Sequence, residues 1–378
     1  MADNLETLTG KIWTSALDGD DHGAADAALA ALGDGLPVED LLLNVVAPIQ
    51  RQVGDAWAAN EVTVAQEHIV TAVSERVLAA AARHPAARAR HVGVKGRAAV
   101  ACVDGEWHAF PARLLAEVLR LDGWRVDYLG PHVPTPFLPI HVREAEVDVV
   151  LLSASLPTRL PAAHEAIAAC RETGRPVLAG GAAFGGDGRY ARLLGADGWA
   201  PDARATAERL TAGPAPGETA YEGSNGGTGP AGQEHGHPTT PTGQEHGHPA
   251  TAPDREYGHL TETAQELIDT VMWRLGERIP AMAAYDNRQL KHTREDIGHL
   301  IDFLAISLYV DDPTLYSRFL LWMAGILTAR NVPEDTLFPA LDLIATGLKG
   351  CPRARATVEH GQEALRREHG KDRPGHPF

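Results

Sequence analysis

Between about residues 97 and 211 the chain alternates short apolar runs with amphipathic stretches, and this alternation limits the fold more than any other feature. Arg97-Ala-Ala-Val-Ala-Cys-Val103 is followed by the helix-like PARLLAEVLRLDG. Then come WRVDYLG, a helical stretch, DVVLLSASL, another helical stretch, RPVLAGGA, YARLLGADG and ATAERLTAG. The apolar runs lack regular polar alternation, as strands do when helices cover both faces of a sheet. The pattern predicts a parallel, doubly wound sheet. Ligands of such sheets bind at the carboxyl ends of the strands, so site residues belong in the loops after the apolar runs.

The flanking segments read as helices. Leu5, Leu8, Ile12, Trp13 and Ala16 recur at helical spacing until Gly19-Asp20-Asp21 breaks the run. An Ala-rich stretch over 22–32 precedes Gly33-Asp34-Gly35. Pro37 opens a helix that continues to Trp57, and another spans about Val62 to Arg83. Four helices on short connections predict an antiparallel bundle over residues 1–90, with the α/β domain over 91–211. Residues 212–258 read as a flexible His/Gly/Pro linker carrying GQEHGHP twice. Its EHGH units could hold a metal through imidazole, but a spacer is the simpler reading. Residues 259–350 read as a helical domain. Thr293-Arg-Glu-Asp296 reads as a capping box before Ile297, Leu300, Ile301, Leu304 and Leu308. Asp312-Pro313 caps and opens the next helix, Pro333 opens another, and Gly350 closes it. Residues 351–378 read as a polar tail.

A net charge of -16 argues against a nucleic-acid partner, which needs a basic face. Cys102, Cys170 and Cys351 are too few and too scattered for a disulfide framework. Neither a signal peptide nor a membrane-length apolar run is evident, so the expectation is a cytoplasmic protein without membrane contact. No catalytic triad, phosphate loop or zinc motif points to an enzyme.

After the first apolar run comes Asp104-Gly-Glu106-Trp-His108-Ala-Phe110-Pro111. An imidazole at a strand's carboxyl end can coordinate a metal while a carboxylate two residues away orients its other nitrogen; a lone loop histidine is the plainer alternative. The loop resembles the lower-ligand loop of the cobalamin-binding domain shared by methionine synthases, mutases and corrinoid carriers, with Glu106 as the acid, His108 as the cobalt ligand and Pro111 replacing the family's glycine. Two further landmarks of that family follow in order. Ser153 and Ser155 stand at the DVVLLSASL strand end, with Ser155 at the usual Leu position, and Gly180-Gly181 follows the next strand. In the family these line a slot for the cofactor's nucleotide tail.

Trp57, followed after nine residues by Glu67-His68, resembles the cap signature of light-sensing cobalamin repressors. There the indole and the Glu-His pair pack against an adenosyl group; a core tryptophan beside a solvated helix face is the structural alternative. Ala58 replaces the histidine that follows the Trp in those repressors, so a second cobalt ligand must be water, His68 or another group. A cobalamin module joined to a C-terminal helical domain resembles the photocobilins, which implies adenosylcobalamin and biliverdin as cofactors. An aromatic-walled slot with cations for the propionates would use Tyr285, Arg288, His292, Arg294 and Tyr309. Trp273, Tyr316 and Trp322 are further aromatics of that segment.

The expected fold is multidomain: a four-helix-bundle cap, a Rossmann-like α/β cobalamin-binding domain and a C-terminal all-α domain, for which a globin-like fold is one candidate. The expected function is light sensing, with loss of the upper cobalt ligand changing domain packing or a light-dependent homo-oligomer, and with output through a separate protein allowed. The alternative is a corrinoid methyl carrier serving methyltransferase partners. A bare interaction scaffold stands third.

Overall fold

The computed structural model describes residues 2–88, 94–212, 255–333 and 336–371. Five parallel strands, β1 (Arg97–Cys102), β2 (Arg125–Gly130), β3 (Val149–Ser153), β4 (Val177–Gly180) and β5 (Gly198–Trp199), form one sheet in the order β2-β1-β3-β4-β5. The winding direction reverses between β1 and β3. Their following loops therefore leave in opposite directions and open a crevice.

Side chains alternate between two cores, as the period of a strand requires. Ala99, Ala101, Val150 and Leu152 pack on one face beneath α8 (Phe137–Glu144), α9 (Leu160–Arg171) and α10 (Arg189–Leu193). Ala98, Val100, Cys102, Val149 and Leu151 pack on the other, beneath α7 (Phe110–Leu121) and α11 (Ala203–Ala212). The opposite side of α7, carrying Phe110, Leu114, Val118 and Leu121, enters the core of the N-terminal helices. Helix α7 thus joins the sheet to the cap.

That cap comprises α1 (Ala2–Leu17), α2 (Asp21–Gly33), α3 (Val38–Leu41), a π-helical stretch (Leu42–Val46), α4 (Ala47–Ala58), α5 (Val64–Arg83) and the short α6 (Pro85–Arg88). Pro37 is the residue before the first turn of α3. Helix α5 begins at a capping box, in which Thr63 accepts from the Gln66 amide and Gln66 accepts from the Thr63 amide.

The C-terminal domain contains α12 (Arg255–Arg278), α13 (Asn287–Tyr309), α14 (Pro313–Ala329), α15 (Leu337–Gly347) and α16 (Pro352–Lys371). The structure departs from the sequence pattern at three places in this domain. Helix α13 starts at a capping box of Asp286 and Gln289, not at Thr293, whose hydroxyl bonds the Gln289 carbonyl inside the helix. Residues 352–371 are a helix rather than a polar tail. Cys351, Ala354, Val358 and Leu365 fall on one stripe and are buried against Tyr316 and Leu320. The chain is already helical from Arg255, inside the segment read as linker. Both GQEHGHP units lie outside the described residues.

The helical domain packs directly on the α/β domain. Ile306, Val310 and Leu315 join the core above α8 and α9. The Tyr309 hydroxyl lies 2.6 Å from His164 Nδ1. Asp312 caps α14 and also receives Arg189 and the Tyr190 hydroxyl. Among the described residues no helix is long and apolar enough to cross a membrane.

Candidate functional site

The loop after β1 is built around a carboxylate. Gly105 turns the chain at φ +74°, a conformation that favours glycine, and a Cβ there would meet the Arg159 guanidinium at 2.7 Å. Glu106 is then wholly buried. Its Oε1 accepts from the His108 amide at 2.8 Å and lies 2.6 Å from His108 Nδ1. Its Oε2 accepts from the amides of Ser155 at 2.7 Å and Leu156 at 3.2 Å. Burial alone would raise this carboxyl, but the side-chain bond to His108 and three backbone amides outweigh it and bring it down to about 2. The same bond raises His108 above the ordinary imidazole range, against the opposing effect of its own burial. Nδ1 is therefore committed to Glu106, and Nε2 is the ring nitrogen left to a ligand. Pro111 stands in the first turn of α7, so where the motif departs from glycine the chain enters a helix at once.

His108 and Ser155 line an open cavity of about 800 Å³, whose other wall is Trp57, Glu67 and His68 from α4 and α5. Glu67 Oε2 lies 2.5 Å from His68 Nδ1, while its Oε1 accepts from Thr71, which also donates to Gln50. Gln50 in turn donates to Ser74 at 2.9 Å, so a polar chain runs up the inside of the cap to hold Glu67. Trp57 is half-buried and touches Trp322 and Arg330 of the helical domain. Trp107 is 67% exposed on the cavity rim, stacked on His132 with ring centres 4.8 Å apart.

A second cavity of about 440 Å³ lies between the carboxyl ends of β3 and β4, α7 and the cap. Ser153, Gly180 and Gly181 line it, with Ala47, Leu114 and Ala200 among the other walls. Gly181 sits at φ +103°, and a Cβ would approach the Ala154 carbonyl oxygen to 2.3 Å. Gln50, Phe110 and Pro111 line both cavities, which adjoin around the start of α7. The pair suits a large, two-part ligand. An apolar slot without a projecting side chain at Gly180 or Gly181 fits the detached nucleotide tail of a cobalamin, and an imidazole with its second nitrogen fixed fits the cobalt. The residues present fit the group.

The structure does not bring the five bilin candidates together. Tyr285 packs on the helical core. Arg288 donates to His292, which pairs with Glu295, and both are exposed on the first turns of α13. Arg294 is taken by Asp269. Tyr309 ends the same helix, roughly 22 Å beyond Arg294 and roughly 32 Å beyond Arg288 by helical rise, against His164. No single slot can use all five.

Sequence reading missed Gln50, Thr71, Trp107 and Arg330 as site residues, and grouped Trp322 with the aromatics of the helical domain rather than with Trp57. Gln50 and Thr71 are partly buried polar positions near the core-facing residues Ile49, Val53, Val70 and Val73 of α4 and α5. The meeting of Trp322 and Arg330 with Trp57 had no signal in the sequence, because Trp57 lies more than 260 residues away in the chain.

Residues 96–208 match the family model of the B12 binding domain, and residues 9–81 match a second model of the same description. The chain is 34% identical over 163 residues to the HTH-type transcriptional repressor CarH of Myxococcus xanthus, covering 42% of this chain and 51% of that protein. It thus spans about half the length of the curated relative it matches. Similar solved structures include the Methanosarcina barkeri monomethylamine corrinoid protein, at 18% identity and TM-score 0.47, covering 54% of this chain and 96% of that one. A cobalamin-binding protein from Desulfitobacterium hafniense matches at 18% identity and TM-score 0.30, covering 53% and 95%. The cap and sheet together carry a cobalamin-binding module.

Proposed function

We propose that this chain is a light-responsive cobalamin protein that takes the adenosyl form and is not itself an enzyme. One observation carries the reading: the wall facing His108 across the 800 Å³ cavity is already furnished with an indole, a carboxylate and an imidazole. A methyl carrier would need that upper side open to its partner enzymes. Bound adenosylcobalamin supplies a cobalt–carbon bond that visible light can break.

The chain's own residues then have separable tasks. His108 offers Nε2 to the metal, and Glu106 keeps the ring in that tautomer and orientation. Ser153, Gly180 and Gly181 leave room for the nucleotide tail, and Ser155 ties its strand end to Glu106 through its amide. Trp57 covers a purine or ribose by stacking, and Glu67 with His68 accepts and donates to sugar hydroxyls. Because Trp57 also touches the helical domain, a change in what it packs against alters domain packing or assembly.

Biliverdin in the helical domain is the second part of the proposal, supported by Arg288 and His292, which lie together and exposed on the first turns of α13.

The deciding experiment is the absorption spectrum of the full chain supplied with both cofactors, before and after green light, repeated with His108→Ala. The reading requires a light-dependent cobalamin spectrum and, in the variant, weaker binding or a base-off spectrum. A spectrum indifferent to light would return the chain to the corrinoid-carrier reading. Failure to take up biliverdin would remove the second chromophore.

A further inference from the structure

Two helices from different domains end against each other beside the cavity. Helix α4 closes with Asn60 at φ +59°, and α14 closes with Asn331 at φ +59°. The last carbonyls of any helix lack intrahelical partners, and the end carries a partial negative charge. Two such ends brought together would repel unless a donor served both. Arg330 does so. Its Nη1 donates to the Ile326 carbonyl of its own helix and its Nη2 to the Trp57 carbonyl of α4, at 3.2 and 3.3 Å. In the reverse direction Asn60 Nδ2 donates to the Ala329 carbonyl at 3.4 Å. Each domain thus caps a helix of the other.

The arrangement also fixes the Trp57 side chain. The Arg330 guanidinium lies 5.1 Å from its ring centre, and Trp322 meets it with ring centres 6.3 Å apart. From Trp322 the aromatic contacts continue to Phe319, at 6.1 Å, and on to Phe303, stacked at 3.8 Å in the core of the helical domain. Trp57 is a wall of the cavity, yet its backbone and its ring are both held from the other domain.

We propose that Arg330 is a positioning residue that sets Trp57, so that the cavity's preference for a bulky upper ligand on a cobalamin depends on docking of the helical domain. The inference rests on the cobalamin reading above. Arg330 touches the Trp57 backbone and ring rather than the ligand, and acts by holding the indole against the space where an adenosyl group would stack. Coupling between two sites is reciprocal. A ligand seated against Trp57 must therefore tighten the junction by the same factor by which the junction improves its seating.

The test uses the full chain in the dark, titrated with adenosylcobalamin and separately with hydroxocobalamin, which lacks the bulky upper group. Arg330→Ala should lower the adenosyl-over-hydroxo preference by about tenfold, at the lower end of typical coupling, with hydroxocobalamin affinity held within about twofold. Arg330→Lys keeps the charge but loses the planar fork that reaches both helix ends, and should fall between. In the unmutated chain, hydrogen exchange of the amides at 326–331 should slow more with adenosylcobalamin than with hydroxocobalamin, a readout that needs no variant to fold. An unchanged preference in Arg330→Ala, or equal protection of 326–331 by both cobalamins, overturns the inference while leaving cobalamin binding intact. Absence of binding by the unmutated chain defeats the parent reading, and this one with it.

Discussion

Replacing Glu106 with Gln tests how much the lower loop depends on one buried carboxylate. Each oxygen serves two donors: Oε1 the amide and ring of His108, Oε2 the amides of Ser155 and Leu156. In the amide variant one of those oxygens becomes an NH2 that faces two donors. Two buried N–H groups then lose their acceptor, at about 1–3 kcal/mol each. A separate route gives a similar size. A carboxyl lowered from 4.5 to about 2 in the folded chain corresponds to about 3 kcal/mol of stability. The sign is that of a depressed acid: the contribution is complete above pH 4.5 and disappears as pH falls toward 2. The assay is urea unfolding of the cobalamin-free chain, so that ligand binding cannot mask the effect. Glu106→Gln should lose about 3 kcal/mol at neutral pH, and the gap from the unmutated chain should narrow below pH 4.5. A loss under about 1 kcal/mol, or a gap that stays constant with pH, would refute the reasoning.

Gly181→Ala forces a side chain to φ +103° and to within 2.3 Å of the Ala154 carbonyl oxygen. It should cost about 3 kcal/mol and abolish tail binding; equal stability by thermal unfolding would show that the β4 loop yields freely. Tyr316→Phe removes a buried hydroxyl with no hydrogen-bond partner among the described residues. It should raise the stability of the helical domain by about 1 kcal/mol, and a lower melting temperature would mean the hydroxyl has a partner after all.

What the sequence determined by itself is what short-range periodicity can encode. Apolar runs without polar alternation at 97–103 and 148–156 meant strands covered on both faces, because both sides of β1 and β3 are buried. The spacing of Glu106 and His108 allowed them to pair, and the structure brings Glu106 Oε1 to 2.6 Å from His108 Nδ1. Helix starts were legible where one cap dominated, as at Asp312-Pro313. They misled at Thr293, where a Ser/Thr-type box occurs inside a longer helix and the Asp286–Gln289 box that starts it lies about two turns upstream. Residues 352–371 passed for a tail because the buried stripe of α16 is made of Ala354, Val358, Gly361 and Leu365 among many charges. Small side chains matter there only because α14 comes close: a Cβ on Gly361 would strike Leu320 at 2.5 Å. Tertiary structure alone decided which distant groups meet. That Ser155 and Leu156 point their amides at Glu106 depends on β1 and β3 being neighbours in the sheet. That Arg288, His292 and Arg294 lie apart from Tyr309 depends on α13 being one long helix, with Tyr309 docked at its far end against His164. That Trp57 is held by Arg330 depends on two helix ends meeting across a domain boundary. Local patterns carry no information about such encounters, because their free energy comes from contacts that exist only once the domains have packed.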